Sequence, residues 1–520
     1  MAGARVLVIS DIHLGEILYN EDAPGLADYV HALNRELADF IASHRERQPP
    51  EGAWHLVING DMFDFVKLAR LGDATSVAAE QASAIRERLA RIVKVHEPLF
   101  HELAVFLLEG HRITIIEGNH DAEVYWREVR GDLRHAVMKL AHRHQETLQQ
   151  APIAAELVAE RMSFRTWFEA GTVAGAAFHI EHGHQYDEFC SFEYNLAPYD
   201  DVSRREVAMP LAHRAIPYFT ELLRSYAAQP VEEFDGRSAL RFMASLGPRK
   251  AWVLFKVYLV AMLELLRQAG KKRRHELLGL WDEHRRELHA LAANSPYDVG
   301  TLTRMDGLKA MPAEYSVIKM IRVFWLDVVL ATGVAIAGTL TSLVIGGPAG
   351  LIFAVLVLSA CIGMVQRGHR DRRFDIAGVL RRAARRLAEV TQARYVTFGH
   401  SHFAELHRVG ESAYYLNSGS WVTREVLRGE HGAGMTFVEI TAQAAELKRW
   451  VGRDAVPRLL ASTAQAIDVS VEAHQPRRRF GRGFAARKVR IDGLRKRLEA
   501  RRARIAAKRA LKQERRPTPR

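Results

Sequence analysis

Cysteine is almost missing: Cys190 and Cys361 are the only two in 520 residues. That excludes a disulfide framework and suits a reducing compartment. No secretory leader is expected either, because the strand-like stretch at Arg5 is not preceded by a charged segment, apolar run and small-residue cleavage site. The body is therefore expected to face the cytosol. No repeat of fixed period is present, so a repeat architecture is excluded. Basic character is absent from most of the chain despite a net charge of +12. Residues 477–520 hold 19 Lys/Arg against 3 Asp/Glu, an excess of +16, which leaves −4 for the rest (12 minus 16). The basicity belongs to a tail and says little about the body.

At 520 residues the chain is too long for one ordinary domain and allows roughly three units. Its first third alternates short apolar runs with helical patterns. "RVLVIS" precedes an amphipathic stretch from Leu26 to His44, "WHLVING" precedes another from Ala78 to Leu108, and "RITIIEGNHD" closes the series. Strands and helices in alternation imply right-handed crossovers and a layered α/β sheet. A hairpin follows in "FRTWFEAGTVAGAAFHIEHGHQYD", with Gly171 and Gly175 marking its turn. From Phe189 to Lys319 the pattern is helical, and "RYVTFGHSH" and "SAYYLNSGSW" then resume the body, which ends near Val451. The expected divisions are 1–188 and 368–455 for the two parts of the body, 189–322 for a helical insertion, 323–367 for an apolar hairpin and 456–520 for the tail.

"VLVISDIHLGE" raises the functional question, since a buried strand ends in Asp11 and His13. A plain turn would use the same residue types. The other reading is a metal site, with a carboxylate and an imidazole two residues apart on one side of a strand edge. Four more clusters stand beside it: "NGDMFD" with Asp61 and Asp64, "EGNHD" with Asn119, His120 and Asp121, "EHGHQYD" with His182, His184 and Asp187, and "FGHSH" with His400 and His402. Several place Gly just before the polar group, where the backbone can turn tightly and approach an ion closely. Ligands in open α/β sheets gather outside the carboxyl ends of strands, so these clusters are expected to meet.

The order D-x-H, G-D-x-x-D, G-N-H-D, H-G, G-H-x-H resembles the calcineurin-like metallophosphoesterase superfamily, over residues 5 to about 187 and about 394 to 440. The resemblance implies an α/β fold, a layered calcineurin-like sandwich carrying here a helical insertion and a membrane helical hairpin. It implies two divalent metal ions, with Mn, Fe, Zn and Co all suited to a mixed His and carboxylate shell. One would be held by Asp11, His13, Asp61 and His402, the second by Asp61, Asn119, His182 and His400. Two such cations activate a water and clamp phosphoryl oxygens during in-line displacement. His120 then resembles the general acid and Asp64 the group that orients it. Asp121 would support the site from behind, and His184 and Asp187 would do so or face substrate, a plain loop role staying open for both.

Val328 to Val365 holds 38 residues without a charge, about 57 Å as one helix and nearly twice a bilayer core. "GGPAG" at Gly346–Gly350 breaks it into two helices of roughly 16 to 18 residues. Lys319 and Arg322 precede it and Arg367, Arg370, Arg372 and Arg373 follow, so both flanks, and the catalytic body, are expected on the cytoplasmic side of a membrane. A buried helical hairpin in a soluble core is the competing reading. The tail, with Val489, Ile491, Leu494 and Leu498 among its arginines, is expected on anionic lipid, with a solvated tail and then nucleic acid as the competing readings.

These features predict a membrane-anchored phosphoesterase acting on a phosphate ester or pyrophosphate, lipid-linked in one version. In that light the chain is similar to UDP-2,3-diacylglucosamine hydrolases, although that branch often carries Arg where His120 stands. Soluble nucleotides or cyclic nucleotides are the alternative substrates, a membrane-tethered scaffold without turnover is the second class of function, and a nuclease recruited by the tail is the third. A phosphoprotein substrate fits less well, because Asp64 is followed by Phe65 and Val66 rather than Arg-Gly.

Overall fold

β1 (Arg5–Ile9) is apolar along its whole length because both its faces are covered. Val6 and Val8 point into a core shared with a second sheet, while Leu7 and Ile9 point into a core shared with helices. The computed structural model describes residues 5–15, 26–47, 52–65, 78–152, 154–199, 207–211, 213, 256, 259, 262–263, 277–323, 326–371, 375–421, 434–465 and 469–471. All of them lie in one compact unit, residues 1–473; the expected basic tail and much of the expected helical insertion lie outside the described residues.

After β1 come α1 (Leu26–Glu46), β2 (Trp54–Asn59), α2 (Ala78–Val95), α3 (Glu97–Leu108), β3 (Arg112–Ile116), α4 (Arg127–Thr147), α5 (Ala155–Arg161) and β4 (Met162–Arg165). β1, β2, β3 and β4 pair in parallel, as βαβ crossovers require. β5 (Phe168–Val173) and β6 (Ala176–Glu181) form an antiparallel hairpin in the second sheet. Among the described residues of the insertion are α6 (Leu277–Ala293), α7 (Val299–Asp306) and α8 (Val317–Val323). Next come α9 (Leu326–Ile345), α10 (Gly347–Asp371) and α11 (Ile376–Thr391), followed by β7 (Tyr395–Phe398), β8 (Ala404–Arg408), β9 (Tyr414–Ser418), β10 (Thr436–Ile440), β11 (Ala445–Arg449), β12 (Arg458–Ser462) and β13 (Val469–Val471).

The seven-stranded sheet runs β12-β11-β10-β1-β2-β3-β4 and the six-stranded sheet β13-β8-β9-β7-β6-β5. They face one another across Val6, Val8, Val57, Phe178, Ile180, Leu406, Leu416 and Val438. Leu37, Phe40, Phe100 and Leu103 of α1 and α3 cover the first sheet, and Leu380, Ala384 and Leu387 of α11 cover the second. The result is helix, sheet, sheet, helix in four layers.

Three local expectations are corrected. Residues 78–108 form two helices, not one: Pro98 cannot continue a helix and instead starts the next, and Asn34 Nδ2 caps the end of α2 at Val95 O, 2.9 Å away. The hairpin turn is Ala174-Gly175, both at positive φ; Gly171 lies inside β5, where a Cβ would press on the Phe178 ring at 3.1 Å. The body does not end near Val451, since β12 pairs with β11 and β13 with β8.

α9 and α10 are tighter and longer than expected. Leu326–Ile345 and Gly347–Gln366 are 20 residues each, about 30 Å, long and apolar enough to cross a membrane. Gly346 and Gly347 both take positive φ at the bend, which only successive glycines do cheaply. Only 6% and 11% of the two spans are buried, and Leu330, Leu340, Val344, Leu351 and Leu356 are exposed. A helix pair in a soluble core would bury those side chains.

Three histidines of the first half-sandwich report on acid stability. Burial pushes His44, His55 and His96 each down to about 4. Their folded pKa lies below the unfolded 6.5, so the native state gives up stability as pH falls from about 6.5 towards 4, on the order of several kcal/mol in sum. Chemical denaturation followed at pH 7.5 and pH 5 should show that loss; equal midpoints would contradict it.

Candidate metal centre

β1, β2 and β3 end side by side because they are parallel and in register, and β6 and β7 end together for the same reason in the facing sheet. Their five exits carry the five clusters of polar residues. The loops are laced together beyond the strands: Asp11 N donates to Gly60 O at 3.2 Å, His13 N to Asp61 O at 2.9 Å, Asp64 N to Leu14 O at 2.9 Å and Gly399 N to His182 O at 3.0 Å.

The backbone there is unusual. Nine non-glycine residues have positive φ among the described residues, and five of them are Asp11, His13, Asp61, His400 and His402. Each such residue costs on the order of 1–2 kcal/mol, so the surrounding lattice of hydrogen bonds holds them in place. The glycines explain the spacing. A Cβ at Gly60 would sit 2.4 Å from the His182 ring, at Gly118 2.1 Å from Asp61 Oδ1, and at Gly399 2.6 Å from Asp11 Oδ2. Each glycine of one cluster makes room for a side chain of another.

Donor atoms converge in two neighbouring sets. Asp11, His13 and His402 each bring one atom within 4.8 Å of the others, and so do Asp61, His182 and His400. His402 Nε2 lies 3.2 Å from Asp11 Oδ1 and 3.3 Å from His13 Nε2. Asp61 Oδ2 lies 3.1 Å from His182 Nε2 and 3.7 Å from His13 Nε2, between the sets. The remaining atoms are pinned from behind. His182 Nδ1 donates to Asn59 O at 2.9 Å, which turns Nε2 towards Asp61 Oδ2. Asp61 Oδ1 accepts from His120 N at 2.8 Å, and Asp11 accepts from His400 N at 3.1 Å. Asp187 Oδ2 meets His400 Nε2 at 3.1 Å.

The chemistry of this donor set fits divalent cations. Asn119 Oδ1 is buried without a hydrogen-bond partner, as an oxygen waiting for a cation would be. Burial alone would lower His182, yet the carboxylate of Asp61 raises it to about 9. Burial would likewise raise Asp61, yet the imidazoles of His182 and His120 hold it well below the usual carboxylate range. The pocket therefore favours positive charge beside Asp61, the sign a metal ion supplies.

Asp64 Oδ2 lies 3.3 Å from His120 Nδ1 and 3.4 Å from His13 Nδ1, so it contacts two rings rather than the one expected. Asp121 sits behind the donors: its carboxylate accepts from Met62 N at 2.7 Å, Phe63 N at 3.2 Å and Gly118 N at 2.7 Å, tying two loops together. His184 belongs to neither set. Its Nε2 is 2.9 Å from Gln185 Nε2 and it packs on Phe192. Two residues were not foreseen. Cys190 is buried beside Asp187 and His400, and His213 reaches Asn119 Nδ2 at 3.1 Å. Neither stands in a motif, so no local signal marks them.

Residues 4–241 match the family model described as calcineurin-like phosphoesterase. No curated protein matches the chain.

Proposed function

This chain carries a calcineurin-like phosphoesterase domain and is a metal-dependent phosphoesterase, and from that premise we propose that it is a membrane-anchored enzyme with a dinuclear centre, acting on phosphate esters or pyrophosphates of membrane lipids. One ion is assigned to Asp11, His13, Asp61 and His402 and the other to Asp61, Asn119, His182 and His400. The observation that carries the dinuclear reading is Asp61 Oδ2, set between the two groups of donors at 3.1 and 3.7 Å. The bound ions would supply an activated water and charge for the phosphoryl oxygens. His120 donates a proton to the leaving oxygen, and Asp64, 3.3 Å from its Nδ1, keeps the ring turned for that transfer. Asp121 holds the loops of Asp61 and Asn119 in register, and Asp187 fixes the His400 ring.

The lipid substrate is supported by how the hairpin is fastened. The chain entering it is bonded to the stretch that follows His184: Ala310 N to Gln185 O at 2.8 Å, Ala313 N to Glu188 O at 2.7 Å, Lys319 to Glu188 and Tyr315 to Glu193. Asp187, in contact with His400, belongs to that same stretch. Lys319 lies in α8, and the first apolar span begins at Leu326, seven residues further along the chain. A centre tied in this way to the hairpin suits a phosphate carried by a lipid headgroup. The basic residues on both flanks support a cytoplasmic orientation of the catalytic body.

Full-length protein in mild detergent with Mn²⁺ tests this. Phosphate release should favour phospholipid or lipid pyrophosphate in mixed micelles over free nucleotides, and Asp61→Ala should abolish it. Equal or faster turnover of nucleotides would reduce the hairpin to an anchor, and silence across the panel would make the protein a scaffold.

A further inference from the structure

Asn119 is the one assigned ligand whose side chain has two ends of the same shape. Rotating its amide by a half-turn exchanges Oδ1 and Nδ2 with no change in volume, so only hydrogen bonding decides which end faces the ions. A cation needs the oxygen. Something outside the five clusters must hold the amide the right way round.

His213 does so. It belongs to the segment between β6 and α6 and is 2% exposed. Its Nε2 lies 3.1 Å from Asn119 Nδ2. An amide nitrogen only donates, so His213 Nε2 is the acceptor, and Asn119 Oδ1 is left buried without a partner. The same ring packs against His120, centroids 4.6 Å apart at 58°. We propose that His213 is a positioning residue of the metal centre: by taking the Asn119 amide hydrogen it selects the oxygen-inward orientation and makes the second ion's site depend on the insertion. This rests on the dinuclear reading above.

Such supporting contacts are worth roughly 10- to 100-fold in metal affinity. The test is Mn²⁺ titration of metal-free full-length protein in detergent, by calorimetry and by the exchange-coupled dimanganese signal. His213→Phe keeps a ring against His120 but cannot accept a hydrogen bond, whereas the Oε1 of His213→Gln can. The Phe variant should bind one Mn²⁺ as the wild type does and the other about 10- to 100-fold more weakly, with the coupled signal lost at subsaturating metal. The Gln variant should restore both.

Wild-type affinity at both sites in the Phe variant would overturn the proposal, as would failure of Gln to rescue. Equal weakening of both sites, or loss of the native fold in both variants, would also overturn it by making His213 a packing residue. A wild-type protein that binds fewer than two Mn²⁺ ions would instead defeat the dinuclear reading itself.

Discussion

Asp61→Asn is expected to lower turnover at least about a thousandfold, some 4 kcal/mol of barrier, and to remove bound metal with it. The substitution keeps the shape of the side chain and the hydrogen bond from His120 N, but deletes the charge that lies 3.1 Å from His182 Nε2 and 3.7 Å from His13 Nε2. No other carboxylate stands between the two sets of donors among the described residues. Gly118→Ala should reach the same end without touching a ligand, since its Cβ would lie 2.1 Å from Asp61 Oδ1 and 2.5 Å from Asp61 N. The backbone nitrogen cannot swing aside as a flexible side chain would. Metal content by mass spectrometry, beside turnover, checks both. A variant that keeps two ions and wild-type rate would remove Asp61 from the centre.

His120→Ala should behave differently. If its ring protonates the leaving oxygen, the loss depends on how much that oxygen needs the proton: about 10²- to 10⁴-fold for an alkyl phosphate and little for a nitrophenyl ester. Bound metal should be unchanged. Asp64→Asn separates the two functions, because Asp64 Oδ2 touches His120 Nδ1 and His13 Nδ1 alike; it should lose both leaving-group selectivity and metal affinity. Equal losses on both esters in His120→Ala would assign the ring to binding instead of proton transfer.

Much of this was legible from residues alone. A strand buried on both faces must be apolar throughout, so the abrupt arrival of Asp11 and His13 after Val6–Ile9 marks a strand end rather than an alternating surface. The same contrast exposed Asp61, Asn119 and His400, and 38 residues without a charge exposed the hairpin. β8, β10, β11, β12 and β13 were not read as strands: "AELHR" and "AELKR" are too polar and "VSV" too short to announce one, and neighbours already in the sheets hold them. His184 shows the converse. It shares the residue type and spacing of a ligand, yet its Nε2 is turned to Gln185.

The sequence by itself determined the kinds of donor, their order and the strand ends that carry them, because composition and periodicity are local properties. The tertiary structure decided how those donors are aimed. Left-handed backbone at Asp11, His13, Asp61, His400 and His402 is held by hydrogen bonds between loops far apart in the chain. Gly60 is required by the ring of His182 and Gly118 by the carboxylate of Asp61, contacts that do not exist until the sheets have closed. The partner of Asn119 likewise comes from His213, 94 residues away. Spacing along a chain specifies which side chains leave a strand together, while the orientation of each depends on atoms that only folding brings within reach.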